Sequence, residues 1–75
     1  MTRYRNLGGN SGISAYESGL DYIKVRFNDG GLYLYTYSST GSGYIEKMKA
    51  LAKRGVGLNS FIGRYVRKRY QSKLR

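Results

Sequence analysis

Arg64, Arg67 and Lys68 stand at i, i+3 and i+4, a spacing that puts three cations on one exposed face of a helix. Such a face can follow a phosphate backbone. Each phosphate neutralised by Lys or Arg releases condensed counterions, so clustered cations give affinity without reading a sequence. Lys47, Lys49, Lys53 and Arg54 on a preceding helix extend that surface, and Arg69 adds to it. For any one of these side chains a solvated surface cation is the ordinary explanation; the cluster carries the argument. Residues 46–75 hold ten Lys and Arg against the single acid Glu46, whereas residues 1–45 hold Arg3, Arg5, Lys24 and Arg26 against Glu17, Asp21 and Asp29. Nearly all of the formal net charge of +10 therefore lies in the C-terminal half. Gathering like charge costs folding stability through self-repulsion, which points to a polyanionic partner. Glu would serve solubility equally well and is nearly absent there.

Tyrosine is the second residue type with chemistry to offer, at nine of 75 residues. Tyr beside Lys or Arg on an open sheet face makes a stacking platform for unpaired bases. It also fills small cores and packs across strands. Tyr22, Tyr37 and Tyr70 are the surface stacking candidates. Catalysis finds little support. With no His and no Cys the chain lacks the usual general base, a thiol nucleophile, disulfides and the two commonest zinc ligands. The four carboxylates are scattered, and Asp21 and Asp29 fall at expected turns, where Asp is ordinary. Gly41-Ser42-Gly43 before a helix resembles a phosphate-cradling loop, but Walker spacing and its Lys are missing, and a flexible linker fits better. No catalytic residue, metal or cofactor is expected.

The elements that must position these side chains follow from periodicity. Gly12 to Glu17 reads as a short strand with Ile13 and Ala15 on one face. Ser18-Gly19 turns the chain into Tyr22–Phe27, where Ile23, Val25 and Phe27 point one way and Tyr22, Lys24 and Arg26 the other. Asn28-Asp29-Gly30-Gly31 signals a turn into a third strand, Leu32 to Tyr37. A two-residue Asp29-Gly30 turn would set Tyr33, Tyr35 and Tyr37 beside Lys24 and Arg26. A three-residue Asn28-Asp29-Gly30 loop, with Gly30 left-handed, would turn the tyrosines toward Ile23, Val25 and Phe27. Ser38–Gly43 is a breaker-rich linker with candidate caps.

Tyr44 to Arg54 reads as an amphipathic helix with Tyr44, Ile45, Met48, Leu51 and Ala52 along its apolar stripe, stopped by Gly55. A second helix, capped by Asn59 or Ser60, sets Phe61, Ile62, Tyr65 and Val66 inward. The fold class expected is α+β, a three-stranded antiparallel meander followed by two helices packed on one sheet face (βββαα). Residues 1–10 read as a flexible basic arm, 11–70 as one domain and 71–75 as a solvated basic tail.

A chain of 75 residues buries only about 60% of the surface it exposes when unfolded, so without disulfides or zinc its stability rests on apolar packing. No apolar run approaches the roughly 18 residues of a membrane span, and Met1–Asn6 lacks the apolar region of a secretory signal, so a cytoplasmic address is expected. Attachment to an anionic membrane is disfavoured because each helix needs its apolar face for the core.

The run Ile23-x-Val25-x-Phe27-x-x-Gly30-x-x-Tyr33-x-Tyr35, followed by a helix and then Gly55-x-Gly57-Leu58-Asn59-x-x-Ile62, resembles the KTSC domain over roughly residues 11–70. That family is a module of this size found at the C-terminus of some lysyl-tRNA synthetases and as a free-standing bacterial or phage protein. The resemblance implies that Tyr33 and Tyr35 face inward, and its synthetase context favours RNA slightly over DNA. The chain departs from the family pattern in having Leu34 between the two tyrosines and in lacking the Val-Pro that follows the third strand. The function expected is a small basic nucleic-acid-binding domain acting largely through phosphate contacts from its C-terminal helices. An accessory module meeting an acidic protein partner is the alternative.

Overall fold

Alternation of β-branched and charged residues builds the centre of the sheet. In β3 (Tyr22–Phe27), Ile23 and Val25 point inward and are fully buried, while Lys24 and Arg26 point outward. β2 (Ile13–Ser18) and β4 (Leu32–Thr36) flank it antiparallel. The structure is a computed structural model that describes residues 1–9 and 11–75.

The β3–β4 hairpin takes the three-residue loop. Gly31 O accepts from Phe27 N–H at 2.8 Å, Phe27 O accepts from Gly30 N–H at 2.9 Å, and Gly30 has φ 92°. Only glycine enters that left-handed region without steric cost. Asp29 Oδ1 closes the turn by accepting from Gly31 N–H at 2.8 Å. The register that follows pairs Ile23 with Tyr35 and Val25 with Tyr33, which sends both tyrosines to the buried face. Tyr35 is 1% exposed.

β2 differs from a plain alternating strand. A bulge between Ile13 and Ala15 moves its later residues to the opposite face, so Tyr16 joins Ile13 in the core and Ala15 does not.

Both chain ends depart from the expected arm and tail. Thr2–Arg3 forms β1, paired with Tyr16 and Ala15 of β2, and Tyr4 is 3% exposed. Arg5 Nη2 donates to Lys53 O at 2.8 Å, and Gly55 O accepts from Leu7 N–H at 2.6 Å. The physical reason is that Tyr4 has a large apolar ring to bury, and Arg5 caps carbonyls that a helix end leaves free. Asn10, the last residue of that expected arm, lies outside the described residues. At the other end Ser72–Lys73 forms β5 against Tyr33 and Leu34 of β4. The sheet therefore has five antiparallel strands in the order β1-β2-β3-β4-β5, with the helices between β4 and β5, in place of βββαα. The α+β class stands.

The expected linker is ordered as a helical turn, α1 (Tyr37–Thr40). Thr36 Oγ1 accepts from Ser39 N–H, and Ser39 Oγ accepts from Thr36 N–H, a reciprocal capping box. α2 (Ser42–Arg54) buries Ile45, Met48, Leu51 and Ala52. It ends at Gly55, φ 82°, whose N–H bonds the carbonyls of Ala52 and Leu51.

α3 (Leu58–Phe61) begins without the expected Asn59 or Ser60 cap. Its orphan Leu58 N–H is satisfied by the Tyr4 hydroxyl at 3.3 Å, from the far end of the sequence. The chain then continues as a π-helical segment, Ile62–Val66. The wider turn keeps Ile62 and Val66 in the core but carries Tyr65 out of the stripe that α-helical spacing assigned to it, leaving it 49% exposed. Among the described residues no helix is long and apolar enough to cross a membrane.

Candidate nucleic-acid interface

α2 and the segment after it divide their cations among three neighbourhoods. Lys47 and Arg69 border one depression; Arg67 and Lys68 border a second, on the β3–β4 hairpin side; Lys49 and Lys53 face the β2–β3 turn. Arg64 is exposed in the π-helical segment. Because the α-helical spacing is broken there, Arg64, Arg67 and Lys68 do not form the single α-helical face their spacing suggested. Arg54 is exposed at the end of α2, where Arg5 adds a further guanidinium beside its carbonyl.

Lys49 belongs to the architecture and is withdrawn from the expected surface. Its ammonium donates to the carbonyls of Gly19 at 3.0 Å and Leu20 at 3.1 Å and lies 2.8 Å from Glu46 Oε2, with its side chain 16% exposed. Glu46 also accepts from the Tyr37 hydroxyl. Bonds from Lys49 and then Tyr37 hold the Glu46 carboxyl below its ordinary pKa, and Glu46 in turn raises that of the Tyr37 phenol.

The second ion pair sits on the outer sheet face, where Glu17 lies 3.7 Å from Lys24 Nζ and accepts from the Tyr22 hydroxyl at 2.8 Å. That phenol first, and the ammonium second, hold Glu17 below its usual range. Among the described residues these two pairs are the only ones within 4.0 Å. Lys47, Lys53, Arg54, Arg64, Arg67, Lys68 and Arg69 are therefore exposed with no carboxylate that close.

The three stacking candidates are not brought together. Tyr22 is tied to Glu17 on the face away from the helices, and Tyr37 is tied to Glu46. Tyr70 is half-buried, its ring set edge-on to Tyr33 at 4.9 Å and Tyr35 at 6.2 Å, where it closes the core.

What the sequence did not single out is a different aromatic group. Tyr44, Phe61 and Tyr65 meet across α2, α3 and the π-helical segment. Ring centroids are 6.0 Å apart for Tyr44–Phe61, 4.9 Å for Phe61–Tyr65 and 6.3 Å for Tyr44–Tyr65, the last pair only 25° from parallel. They line a depression of about 670 Å³ whose rim carries Lys47 and Arg69, the latter with Cζ 5.5 Å from the Tyr44 centroid. The available signal was surplus: Ile45, Met48, Leu51 and Ala52 already complete the buried stripe of α2, so Tyr44 exceeded what the core required.

The second depression, about 600 Å³, is floored by Tyr33, Tyr35 and Tyr70. Burial, and then the neighbouring Tyr33 and Tyr70 phenols, push the Tyr35 hydroxyl up to about 12. An unfolded Tyr ionises near pH 10, so the stabilisation is complete below that pH. It is lost as pH rises from about 10 to about 12, because the unfolded chain gives up its proton first. The loss expected is at most about 2–3 kcal/mol, the worth of a shift of about two pKa units. Urea unfolding across that range, compared with Tyr35→Phe, measures it; superimposable pH profiles for the two proteins would contradict it.

No protein-family model, curated protein or solved structure matches this chain.

Proposed function

We propose that this protein is a nucleic-acid-binding domain that works by phosphate contact and not by catalysis. Single-stranded or structured RNA is the first substrate to examine, and the cytoplasm is its expected location. The observation that carries the proposal is the set of seven exposed cations, Lys47, Lys53, Arg54, Arg64, Arg67, Lys68 and Arg69, with no carboxylate within 4.0 Å among the described residues. Cations left unneutralised on so small a domain give it a positive self-repulsion, and a polyanion relieves that repulsion while releasing its own counterions. The likeness of the Tyr33-x-Tyr35 strand and the Gly55–Asn59 corner to the KTSC domain belongs to the same proposal and supports its RNA side.

A salt series tests it. Apparent affinity for single-stranded RNA, single-stranded DNA and duplex DNA is measured by gel shift across ionic strength. Phosphate contact gives a linear fall of log affinity with log salt, at about 0.7 to 0.9 per phosphate engaged. Absence of binding to all three at low salt would overturn it.

An acidic protein partner is the second reading, favoured by the apolar depression at Tyr44, Phe61 and Tyr65. A hot spot of buried rings would depend on salt much less steeply.

A further inference from the structure

Tyr44 and Tyr65 stand outside the buried core, at 36% and 49% exposure, and the buried stripes of α2 and the following segment are complete without them. Large rings left in water by a domain with so little core to spare call for a reason beyond packing. The rings adjoin one another and line a shared depression together with Lys47 and Arg69, the latter over the Tyr44 ring. Neither cation has a carboxylate within 4.0 Å among the described residues.

Flat rings beside cations are what an unpaired nucleotide requires. The base stacks on a ring, and the phosphate linking it to the next base meets the cation. A duplex cannot use the rings, because its bases are stacked on one another and offer only edges and backbone. Arg64, next to Tyr65 in the π-helical segment, adds a further exposed cation, which suits a polymer with one charge per residue. An acidic peptide would meet the cations but would not carry a flat face at each charge.

We propose that Tyr44, Phe61 and Tyr65, with Lys47 and Arg69, form a stacking site for unpaired bases and make the protein selective for single strands. This deepens the phosphate-contact proposal and rests on it.

The test uses the full chain and labelled oligonucleotides of one length: unstructured RNA, unstructured DNA and a DNA duplex, at one ionic strength. The double variant Tyr44→Leu with Tyr65→Leu is expected to lose about ten-fold to a hundred-fold in affinity for both single strands. Its duplex affinity stays within about two-fold of the parent. The conservative pair Tyr44→Phe with Tyr65→Phe keeps its rings and restores most of the single-strand binding. Quenching of tyrosine fluorescence by the single strand, lost in the Leu pair, reports the stacking directly. Equal losses for single strand and duplex, or loss of neither, would overturn the stacking site while leaving phosphate contact standing. Failure of the parent protein to bind any of the three overturns both. An acidic peptide that competes only with the Tyr-dependent fraction would reassign the depression to a protein partner.

Discussion

Replacing Tyr4 with alanine is expected to lower the free energy of unfolding by about 3–5 kcal/mol. A domain of this length holds roughly 4–11 kcal/mol in all, so the loss is a large share of its stability. Two separate losses combine. The ring is 3% exposed within the core cluster, and its removal leaves a cavity that the surrounding side chains close only in part. Its hydroxyl is also the partner of Leu58 N–H at the first turn of α3, a donor that no other group satisfies when the phenol is gone. The two losses separate in Tyr4→Phe, which fills the space and leaves the donor unpaired, at about 1–3 kcal/mol. Urea unfolding of both variants checks the order. A cost below about 1 kcal/mol for the alanine variant would mean that the N-terminal segment is the flexible arm expected from the sequence.

Tyr4 also shows where the sequence stopped being informative. β3 and β4 were legible because Ile23-x-Val25-x-Phe27 and Tyr33-x-Tyr35 alternate over a span that only a strand buries on one side. Their register was open, because Asp29-Gly30 serves two loop lengths, and the burial of Tyr33 and Tyr35 together with Gly30 at positive φ selects one. β1 and β5 are two residues each and carry no period at all; they form because a sheet edge is already there to pair with.

The Leu58 cap was out of reach for a different reason. Its acceptor lies 54 residues away, and local cap rules consider only neighbours. The candidate site divides in the same way. Charge and exposure were readable residue by residue, and of the eight cations assigned to the surface Lys49 alone was withdrawn, by a carboxylate three residues before it and two turn carbonyls far from it in sequence. The ring group was hidden, since Phe61 and Tyr65 satisfy an α-helical stripe on paper and only the π turn moves Tyr65 out of it.

Lys49 supplies the control for the second large effect. Changing Arg64, Arg67 and Lys68 together to Gln removes three exposed charges, each without a carboxylate within 4.0 Å among the described residues, so the fold is expected to survive. If each guanidinium or ammonium meets one phosphate, the slope of log affinity against log salt falls by about two to three units. Lys49→Gln removes one charge as well, but that charge already faces Glu46 and two carbonyls. It is expected to leave the slope unchanged and to cost stability instead, because the carbonyls of Gly19 and Leu20 lose their donor. The comparison separates two kinds of attraction. A surface that grips phosphates responds to which cations are removed, whereas a diffuse positive field responds only to how many. A per-charge change in slope that is the same for Lys49 as for the other three would make the attraction diffuse and dissolve the interface.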